Sequence, residues 1–398
     1  MKHAVQLCEV SKQFGGESAL ADCSLTVEPG EFVTLLGASG CGKTTTVRII
    51  AGYLAQTSGN VFIDEREVSN LPPQKRAVGM VFQDYALFPH LNVRENIAFG
   101  LKVRRWSRSR ITARVDELLE MTGLTDAAVR KPKQLSGGMQ QRVAVARALA
   151  FEPQLMLMDE PLAALDVKLR ETMQGELIRL QREVGVTTLY VTHDQQEAMS
   201  MSDRIVVMDR GTVQQIGTPQ EIYAAPASRF VADFVGTSNL LEGVVEEATR
   251  AGLTLRIGAA TIQAPSASLA PGTVATLVVR PEALQIGKVA PETPGPNQFT
   301  GIVELITFMG SWNRLTLSVS EFEQRLIAQV PTDPHWQRGD AAHISWERGA
   351  AVLLTDAARP GVSTATGDVI SGLRGNEPQT ELGRTGPVDA DSGHHVNA

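Results

Sequence analysis

Cysteines, aromatic side chains and long apolar runs are all scarce in this chain. Its 398 residues include only three cysteines, Cys8, Cys23 and Cys41, an odd number without the spacing of a metal site. Such cysteine usage is typical of a reducing compartment. No apolar run reaches the roughly 18 residues that a membrane-spanning helix needs, and residues 1–6 lack the apolar core of a secretion signal. We therefore expect a soluble cytoplasmic protein.

An excess of basic residues is also missing. The formal net charge is -7, so no global positive field argues for nucleic acid as the main partner. With 43% hydrophobic and 20% charged residues, the composition is that of an ordinary globular protein. The length predicts two or three domains and a large buried core.

Apolar, strand-like runs alternate with helical stretches over roughly the first 235 residues, which is the pattern of a parallel α/β sheet. The predicted strands are residues 32–36, 155–158 and 187–192. Residues 44–53 form a helix-like segment, and residues 167–184 carry apolar side chains at helical spacing before they stop at Gly185. Residues 205–216 predict a hairpin with its turn at 209–211.

The character of the sequence changes near residues 236–239. From there to about residue 355, short β-like stretches separated by Gly, Pro and Ser predict a small antiparallel barrel or two. These stretches include residues 275–279, 301–306 and 314–319. After Pro360 the chain has no aromatic residue and is rich in Gly, Thr, Asp and Ser, which predicts disorder. We therefore expect domains at residues 1–236 and 237–358, followed by a tail at 359–398.

A glycine-rich loop between the first predicted strand and helix is the clearest binding motif. It consists of Gly37, Ala38, Ser39, Gly40, Cys41, Gly42, Lys43 and Thr44, with Thr45 next in the helix. Its glycines let backbone N–H groups face phosphate oxygens, and the helix N-terminus adds positive potential. We expect Lys43 to reach the β- and γ-phosphates of ATP and the Thr44 hydroxyl to bind Mg²⁺. The match at all eight positions and both flanks favours this P-loop over an ordinary glycine-rich turn.

Three further polar residues follow predicted strands. Asp159 and Glu160 end one strand, where α/β sheets place ligands, so Asp159 suits a magnesium shell and Glu160 can polarise an attacking water. The alternative for this acidic pair is a helix N-cap before Pro161. A lone histidine is usually unremarkable, but the position of His193 after another strand of a nucleotide-binding sheet favours a role in the site.

A second glycine pair lies in the segment Leu135-Ser136-Gly137-Gly138-Met139-Gln140-Gln141-Arg142. It opens a helix that runs to about Ala150, and the N-terminus of this helix can host anionic oxygens. One molecule cannot easily bring this surface and the P-loop onto the same nucleotide. The sequence therefore predicts a pair of subunits that share ATP.

Together these motifs resemble the ATP-binding subunit of an ATP-binding-cassette (ABC) transporter. The elements, in the order expected for that family, are Phe14, residues 37–44, Gln83, residues 135–142, Asp159-Glu160, Asp166 and His193. The resemblance implies an α/β P-loop nucleotide-binding domain with a helical subdomain at about residues 84–150, then a small all-β barrel domain and a disordered tail. It also implies ATP and Mg²⁺ as cofactors, and a homodimer that encloses two ATP molecules.

The resemblance assigns a role to each element. Phe14 is expected to stack on adenine, although by itself it suggests core packing beside Val10. Gln83 is expected to join Thr44 and Asp159 around the metal, to support catalysis and to link that region to a membrane partner. Ser136, Gly137 and Gly138 are expected to contact the γ-phosphate held by the opposite subunit. Gln140 is expected to bind nucleotide, and Asp166 to sense the other subunit. Glu160 and His193 are expected to act catalytically on the nucleotide of their own subunit.

The second domain distinguishes between subfamilies. Residues 235–241 and 279–284 resemble the oligonucleotide-fold-like (TOBE) barrel of importer ATPases that serve maltose-type sugars, polyamines, ferric iron and phosphonates. Residues 85–91 look like the groove that receives a permease loop. The resemblance thus implies an ATP-hydrolysing, energy-coupling subunit of an import system, peripheral to the cytoplasmic face of the inner membrane. Its expected partners are a second copy, two permease subunits and, indirectly, an extracytoplasmic solute-binding protein, with no nucleic acid.

Several alternatives stay open at this point. We favour polyamine, ferric iron or phosphonate as cargo over a sugar. A soluble ABC-type ATPase of translation or DNA repair is disfavoured because the chain has one P-loop and no heptad array. A catalytically silent regulatory subunit is disfavoured because Lys43, Glu160 and His193 are all present.

Four local features carry hypotheses of their own. Cys41, at a helix N-terminus near Lys43, is expected to have a reactive thiol. Ala163 stands where relatives often carry serine, which we interpret as neutral. A basic run is either a solvated face or a surface that meets anionic lipid headgroups; its members are Lys102, Arg104, Arg105, Arg108, Arg110 and Arg114. The tryptophans Trp312, Trp336 and Trp346 are expected in the core rather than on a ligand platform.

Overall fold

The computed structural model of the protein describes residues 4–250, 252–289, 295–332 and 335–355. The predicted tail, 359–398, lies outside the described residues, so its disorder stays a prediction. Within the described ranges, none of the helices combines the length and apolarity needed to cross a bilayer.

The first part of the chain mixes strands and helices. Its strands are β1 (Val5–Phe14), β2 (Glu17–Val27), β3 (Phe32–Gly37), β4 (Ser58–Ile63), β5 (Arg66–Glu67), β6 (Val78–Val81), β7 (Leu155–Asp159), β8 (Thr187–Thr192), β9 (Arg204–Asp209) and β10 (Thr212–Gly217). Its helices are α1 (Lys43–Ala51), α2 (Val93–Val103), α3 (Arg108–Met121), α4 (Gly137–Leu149), α5 (Val167–Val184), α6 (Gln195–Met201), α7 (Pro219–Ala224) and α8 (Arg229–Phe234). The predicted strands, the long helix α5 and the hairpin β9–β10 are confirmed.

A six-stranded sheet with the order β10-β9-β3-β8-β7-β6 forms the centre of this part. All of its neighbouring strands are parallel except the hairpin partner β10. A second sheet with the order β2-β1-β4-β5 is antiparallel. Because the inner strands are parallel, their carboxyl ends meet at one edge, which is where an α/β sheet binds ligands.

The two faces of strand β7 explain why its residues are continuously apolar. Met156 and Met158 belong to the hydrophobic core beneath helices α2 to α5. Leu155 and Leu157 belong to the core shared with α1 and the antiparallel sheet. Because both faces are covered, every residue of β7 is buried and the sequence does not alternate between apolar and polar residues.

Side-chain caps set where several helices begin. Asn92 and Glu95 form a capping box at α2, and Asp194 accepts two backbone hydrogen bonds at the start of α6. Helix α5 ends at Gly185, whose left-handed φ of 69° allows the chain to turn directly into β8. These ends hold the loops between strands and helices in defined positions at the ligand-binding edge.

The second part of the chain is composed of strands and short 3-10 turns. Its strands are β11 (Asn239–Thr249), β12 (Gly252–Ile257), β13 (Ala260–Ala264), β14 (Val274–Val279), β15 (Gln285–Gly287), β16 (Gln298–Phe308), β17 (Trp312–Val319), β18 (Leu326–Pro331), β19 (Ala341–Ser345) and β20 (Ala351–Thr355). They form two antiparallel five-stranded sheets, β13-β12-β11-β14-β20 and β15-β19-β16-β17-β18. The predicted all-β domain is confirmed.

One hydrophobic core joins these two sheets. Trp346 is fully buried in it and stacks on Phe299 with 5.3 Å between ring centroids. Trp336 is partly buried against the same core, and Trp312 is partly buried at the start of β17. The expectation of core packing therefore holds best for Trp346.

Candidate nucleotide site

The predicted site residues collect at the carboxyl edge of the six-stranded sheet. Strand register places Leu36 beside Thr192, Val191 beside Asp159, and Val81 beside Met158. The loops that follow these strands therefore start at the same level. They carry the P-loop after β3, Gln83 after β6, Glu160 after β7 and His193 after β8.

The P-loop needs glycine at several of its positions. Gly40 and Gly42 have φ angles of 83° and 105°, in the left-handed region that disfavours residues with a Cβ atom. A Cβ atom on Gly37 would lie 2.4 Å from the carbonyl oxygen of Met208 on β9. Ala38 and Ser39 are exposed, as is Gly40, so the top of the loop is open to a ligand.

Lys43 lies under this loop and is only 4% exposed. Its Nζ donates hydrogen bonds to the carbonyl oxygens of Gly37 at 2.6 Å and Ala38 at 2.9 Å. A buried ammonium group needs such partners because burial without them costs several kcal/mol, on the order of the ion desolvation penalty. Phosphate oxygens can replace these carbonyls, so the lysine is already oriented toward the loop that would cradle them.

Thr44 and Asp159 approach each other directly. The Thr44 hydroxyl donates to Asp159 Oδ1 at 2.9 Å, and Asp159 is 7% exposed. Burial raises the pKa of Asp159 above its usual range, and the Glu160 charge raises it further, while the Thr44 hydrogen bond and the charges of Arg48 and Lys43 oppose the rise. A hydroxyl and a carboxylate oxygen at this separation suit a hard cation such as Mg²⁺.

Gln83 is exposed in the loop just after β6. Strand β6 pairs with β7, which ends at Asp159. Its amide oxygen is the same class of ligand as the oxygens of Thr44 and Asp159. The structure thus has all three predicted magnesium residues at one edge, with Gln83 on the solvent side.

Glu160 and His193 form a pair at this edge. The distance from His193 Nδ1 to Glu160 Oε2 is 3.2 Å, and the histidine ring is largely exposed whereas the carboxylate is mostly covered. Glu160 has a left-handed φ of 46° and its N–H donates to the carbonyl of Val191 at 3.1 Å. Left-handed backbone in a non-glycine residue costs about 1–3 kcal/mol and is often held at functional sites.

The helix-cap alternative for the acidic pair does not describe the structure. A turn follows Glu160, and the next helix, α5, begins at Val167. Its cap is Asp166, whose side chain accepts from the N–H of Leu169 at 3.0 Å. Asp159 instead pairs with Thr44, so its carboxylate belongs to the P-loop region.

A buried network behind His193 was not anticipated from the sequence. Glu197 is 3% exposed and accepts hydrogen bonds from Tyr190 at 2.8 Å and Thr192 at 2.7 Å. Burial raises its pKa, with the two hydrogen bonds opposing the rise. Arg170 on α5 bonds Asp194 at 3.1 Å. The sequence does contain a signal for this network: Glu197 lies on an otherwise apolar face of its helix. A buried carboxylate needs hydrogen-bond donors, so such a position indicates a buried polar network.

The second surface that the sequence predicts to face a phosphate is the N-terminus of α4. Ser136 is exposed and caps the helix by accepting from the N–H of Met139 at 3.4 Å. A Cβ atom on Gly138 would lie 3.2 Å from Leu169 at the start of α5. Gln140 is turned inward and donates to the carbonyls of Pro132 and Leu135 at 3.2 Å each.

Phe14 is at the end of β1 and is 50% exposed, while its neighbour Val10 is fully buried. The core-packing interpretation therefore fits Val10 and not Phe14. The ammonium group of Lys12 lies 5.0 Å from the centre of the Phe14 ring. An exposed ring beside the sheet is available for stacking on a planar base.

The expected reactivity of Cys41 is wrong. The thiol is buried, and burial raises the pKa of Cys41 although Lys43, with its Nζ 3.8 Å from the sulfur, opposes the rise. Desolvation of the thiolate outweighs the nearby positive charge, so the nucleophilic form is disfavoured. The Cys41 side chain fills the space beneath the loop.

Residues 82–92, between β6 and α2, form the loop that carries Gln83 and is called the Gln83 loop. Apolar rings line a groove of about 580 Å³ beside it. Phe88 and Phe99 lie 4.3 Å apart between ring centroids, and Phe99 remains 41% exposed. The other aromatic residues of this groove are Tyr53, Phe82 and Phe151. An exposed aromatic groove of this kind is typical of a protein-docking surface.

The basic run is partly engaged with its own helices. The guanidinium group of Arg104 lies 4.0 Å from the Phe151 ring, and that of Arg110 lies 3.5 Å from the Trp106 ring. Arg114 donates to the carbonyls of Leu149 and Ala150 at the end of α4. The membrane-contact hypothesis stays a prediction for the run as a whole.

Two family models match the chain, and named relatives resemble most of its length. The family model described as ABC transporter matches residues 20–163, and the one described as TOBE domain matches residues 277–354. The spermidine/putrescine import ATP-binding protein PotA of Chromobacterium violaceum is 44% identical over 88% of this chain and 99% of its own length. Its namesake from Bacillus thuringiensis is 41% identical over 89% of this chain and 100% of its own length.

A solved structure is similar to the first domain. The protein cbiO1 of Clostridium perfringens, described as part of the ABC transporter complex cbiONQ, is 30% identical with a TM-score of 0.53, covering 56% of this chain and 92% of its own. The chain belongs to the ABC transporter family, as an ATP-binding subunit of an import system whose ATPase activity is coupled to transport.

Proposed function

We propose that the chain is the energy-coupling ATPase of a polyamine importer and works as two copies beneath two permease subunits at the cytoplasmic face of the inner membrane. Full-length relatives named for spermidine/putrescine import, at 41–45% identity, support this cargo class. The chain has no expected contact with the cargo, which an extracytoplasmic solute-binding protein delivers. The aromatic groove beside the Gln83 loop is the proposed permease contact.

The observation that carries the proposal is the separation of two phosphate-facing surfaces. The P-loop opens at the carboxyl edge of the sheet, whereas Ser136 is exposed at the start of α4, which packs against α2 and β6 at the far side of the sheet order. Two copies related by a two-fold axis can place Ser136 of one against the P-loop of the other. Each ATP then joins the two copies.

The residues at the sheet edge divide the work of hydrolysis. Lys43 exchanges its loop carbonyls for β- and γ-phosphate oxygens, and Phe14 stacks on adenine. Thr44, Asp159 and Gln83 would hold Mg²⁺, which would neutralise charge on the phosphates. Glu160 orients and polarises the attacking water, and His193, held at 3.2 Å from Glu160, faces the γ-phosphate.

The catalytic assignment is tested by Glu160→Gln. We expect ATP binding to persist and the hydrolysis rate to fall at least about 100-fold, which is the usual effect of losing a general base. An ATP-dependent dimer should accumulate in sedimentation experiments. The matched control is Glu183→Gln, since Glu183 is an exposed partner of Arg179 far from the edge. Normal turnover by Glu160→Gln would assign the base to another residue.

The shared site is tested by mixing two inactive variants. Ser136→Arg disables the α4 surface and Lys43→Ala disables the P-loop, so each homodimer is inactive. In an equal mixture half of the dimers are mixed, and each mixed dimer has one intact site, which gives about one quarter of the wild-type sites. Mixing Lys43→Ala with Glu160→Gln is the control, because both defects are in the same half-site and no intact site arises. A mixture as inactive as the control would overturn the shared site.

The cargo is tested in the assembled complex. The chain and its two permease subunits, reconstituted in vesicles with their solute-binding protein, should hydrolyse ATP faster and accumulate label when spermidine or putrescine is supplied. Maltose, ferric iron and phosphonate serve as comparison solutes. Stimulation by one of these and not by polyamines would reject the cargo while leaving the ATPase assignment intact.

A further inference from the structure

One arginine connects the Gln83 loop to the helix that begins at Ser136. Arg147 lies in the last turn of α4, where a basic side chain commonly caps its own helix. Its guanidinium group instead donates to the carbonyl of Ala86 at 2.6 Å from Nη1 and to that of Tyr85 at 2.8 Å from Nη2. The planar fork of arginine matches two adjacent carbonyl oxygens, which a lysine ammonium group cannot do with the same geometry.

The turn that Arg147 holds is strained. Tyr85 and Ala86 have φ angles of 60° and 47°, so two successive non-glycine residues are left-handed. Each such residue costs roughly 1–2 kcal/mol relative to the right-handed form. The Tyr85 side chain is buried, and its hydroxyl has no hydrogen-bond partner within the described residues. The turn therefore depends on contacts from outside itself. Arg147 binds its two carbonyl oxygens, and Asn96 on α2 accepts from the N–H of Phe88 at 2.9 Å just beyond it.

Gln83 precedes this turn by a single residue, Asp84. Since one residue between them leaves little freedom, the position of the Gln83 side chain follows the backbone of Tyr85 and Ala86. Burial lowers the pKa of Arg147 below its usual range, and the negative charge of Asp84 opposes this fall. On the other side, the Arg147 guanidinium group faces Phe88, with 5.6 Å from its Cζ to the centre of the phenyl ring, in the proposed permease groove.

Helix α4 extends from Arg147 back to Ser136. Its 13 residues span roughly 20 Å as a continuous helix. Arg142 on the same helix is paired with Glu176 of α5 at 2.6 Å, and most of α4 is buried. A displacement of one end of α4 therefore moves the other end as well.

We propose that Arg147 is a positioning residue that fastens the Gln83 loop to α4, so that the loop and the Ser136 surface move as one unit. This inference rests on the proposed roles of Gln83 and Ser136. Arg147 would physically link Gln83, near the metal of one site, to Ser136, which meets the nucleotide of the neighbouring copy. Movement of a permease segment in the groove would reach both through Arg147.

Arg114 supplies a matched control for Arg147. It also donates to two carbonyls, those of Leu149 and Ala150, at the same end of α4. Its bonds join α3 to α4 and do not involve the Gln83 loop. Arg114→Ala and Arg147→Ala thus remove the same kind of interaction from the same helix end, and only the second releases the loop.

The link is measured first by hydrogen exchange in the full chain. In Arg147→Ala we expect the amides of Tyr85 and Phe88, which donate to Phe82 and Asn96, to exchange about tenfold faster or more, the effect of losing ~1.4 kcal/mol of hydrogen bonding. Arg147→Lys should fall between that variant and wild type, and Arg114→Ala should leave residues 83–88 unchanged. Equal exchange in wild type and Arg147→Ala would overturn the inference.

The consequence is measured in the complex with the permease subunits. We expect Arg147→Ala to lose about tenfold or more of the solute-stimulated hydrolysis rate, while ATP affinity changes less than about twofold. A purely structural role would instead lower activity in Arg147→Ala and Arg114→Ala in parallel with their melting temperatures, and this result would overturn the inference.

Gln83→Ala in the same complex distinguishes a failure of the Arg147 link from a failure of the proposed function. If Gln83→Ala abolishes stimulation but Arg147→Ala does not, the inference fails and the proposed function stands. If Gln83→Ala leaves stimulation intact, the proposed role of Gln83 fails, and with it the functional part of the inference.

Discussion

Replacement of Arg280 by alanine should uncouple the unfolding of the β domain from that of the ATPase domain. Arg280 follows β14 and is only 8% exposed, although it carries a charge. Its Nη1 donates to the carbonyls of Ala232 at 3.1 Å and Val235 at 2.8 Å, and its Nη2 donates to the carbonyl of Tyr223 at 2.8 Å. Nη1 also reaches Ser238 Oγ at 2.6 Å. These partners lie in the last helices of the ATPase domain and in the linker that follows.

The magnitude follows from what alanine would leave behind. The guanidinium group lies 4.0 Å from the Tyr223 ring, and burial lowers the pKa of Arg280, so the charge is held in a desolvated setting. A hydrogen bond to a charged group contributes about 1.5–3 kcal/mol, and water can reach some of the freed linker carbonyls. We therefore expect a loss of about 3–5 kcal/mol in the free energy of unfolding of the junction. In a domain of this size that lowers the melting temperature by on the order of 10 °C.

Calorimetry on the full chain provides the measurement. The wild-type protein should unfold with its domains coupled, whereas Arg280→Ala should show an earlier transition for the β domain, and Arg280→Lys a smaller shift. ATP affinity should persist, because Lys43 and Thr44 make none of these contacts. The control is Arg256→Ala, which removes an exposed pair with Glu246 worth less than about 1 kcal/mol. If Arg280→Ala melted like this control, the reasoning about buried carbonyls would be refuted.

Three further predictions concern the nucleotide site. Asp159→Asn should abolish Mg²⁺-dependent hydrolysis yet raise the melting temperature of the nucleotide-free protein at pH 7. The direction follows from the raised pKa of Asp159 in the folded protein. The contribution of Asp159 to stability is fully present below the usual aspartate range and is lost as pH rises through the folded pKa. The stability gained by Asp159→Asn should therefore vanish when melting is measured in acid. Phe14→Ala should weaken ATP binding about 5- to 150-fold, as ~1–3 kcal/mol of base stacking implies. The melting temperature should change little because the ring is half exposed. Unchanged affinity in a nucleotide titration would exclude the stacking role. Cys41 should be alkylated at least about tenfold more slowly in the native protein than in urea, and mass spectrometry showing equal rates would contradict its burial.

Local sequence signals predicted the elements that depend on neighbours in the chain. Helix α5 was predictable because its apolar spacing ends at Gly185, which adopts the left-handed conformation that glycine tolerates. The buried strand β7 was predictable because an unbroken apolar run indicates a parallel strand covered on both faces. The hairpin β9–β10 followed from a turn that contains Arg210 and Gly211, both with positive φ.

The sequence predicts which residues form the site but not their geometry. Strand ends and glycine spacing identified Lys43, Asp159, Glu160 and His193, and the parallel sheet brings them to one edge. Their electrostatic states were not predictable in the same way. The prediction for Cys41 was wrong because a thiol's pKa depends on how many atoms exclude water from it, which sequence neighbours do not reveal.

The sequence by itself determined a P-loop α/β domain and a following β domain, and it predicted the residues of the nucleotide site, because glycine loops, strand ends and helix caps are local and each restricts the backbone directly. Only the tertiary structure decided which buried polar groups support that site: Glu197 behind His193, Arg147 on the Gln83 loop and Arg280 at the domain junction. Each of these binds atoms far away in sequence. Such pairings arise from packing, since a buried charge is stable only where the fold supplies its partners.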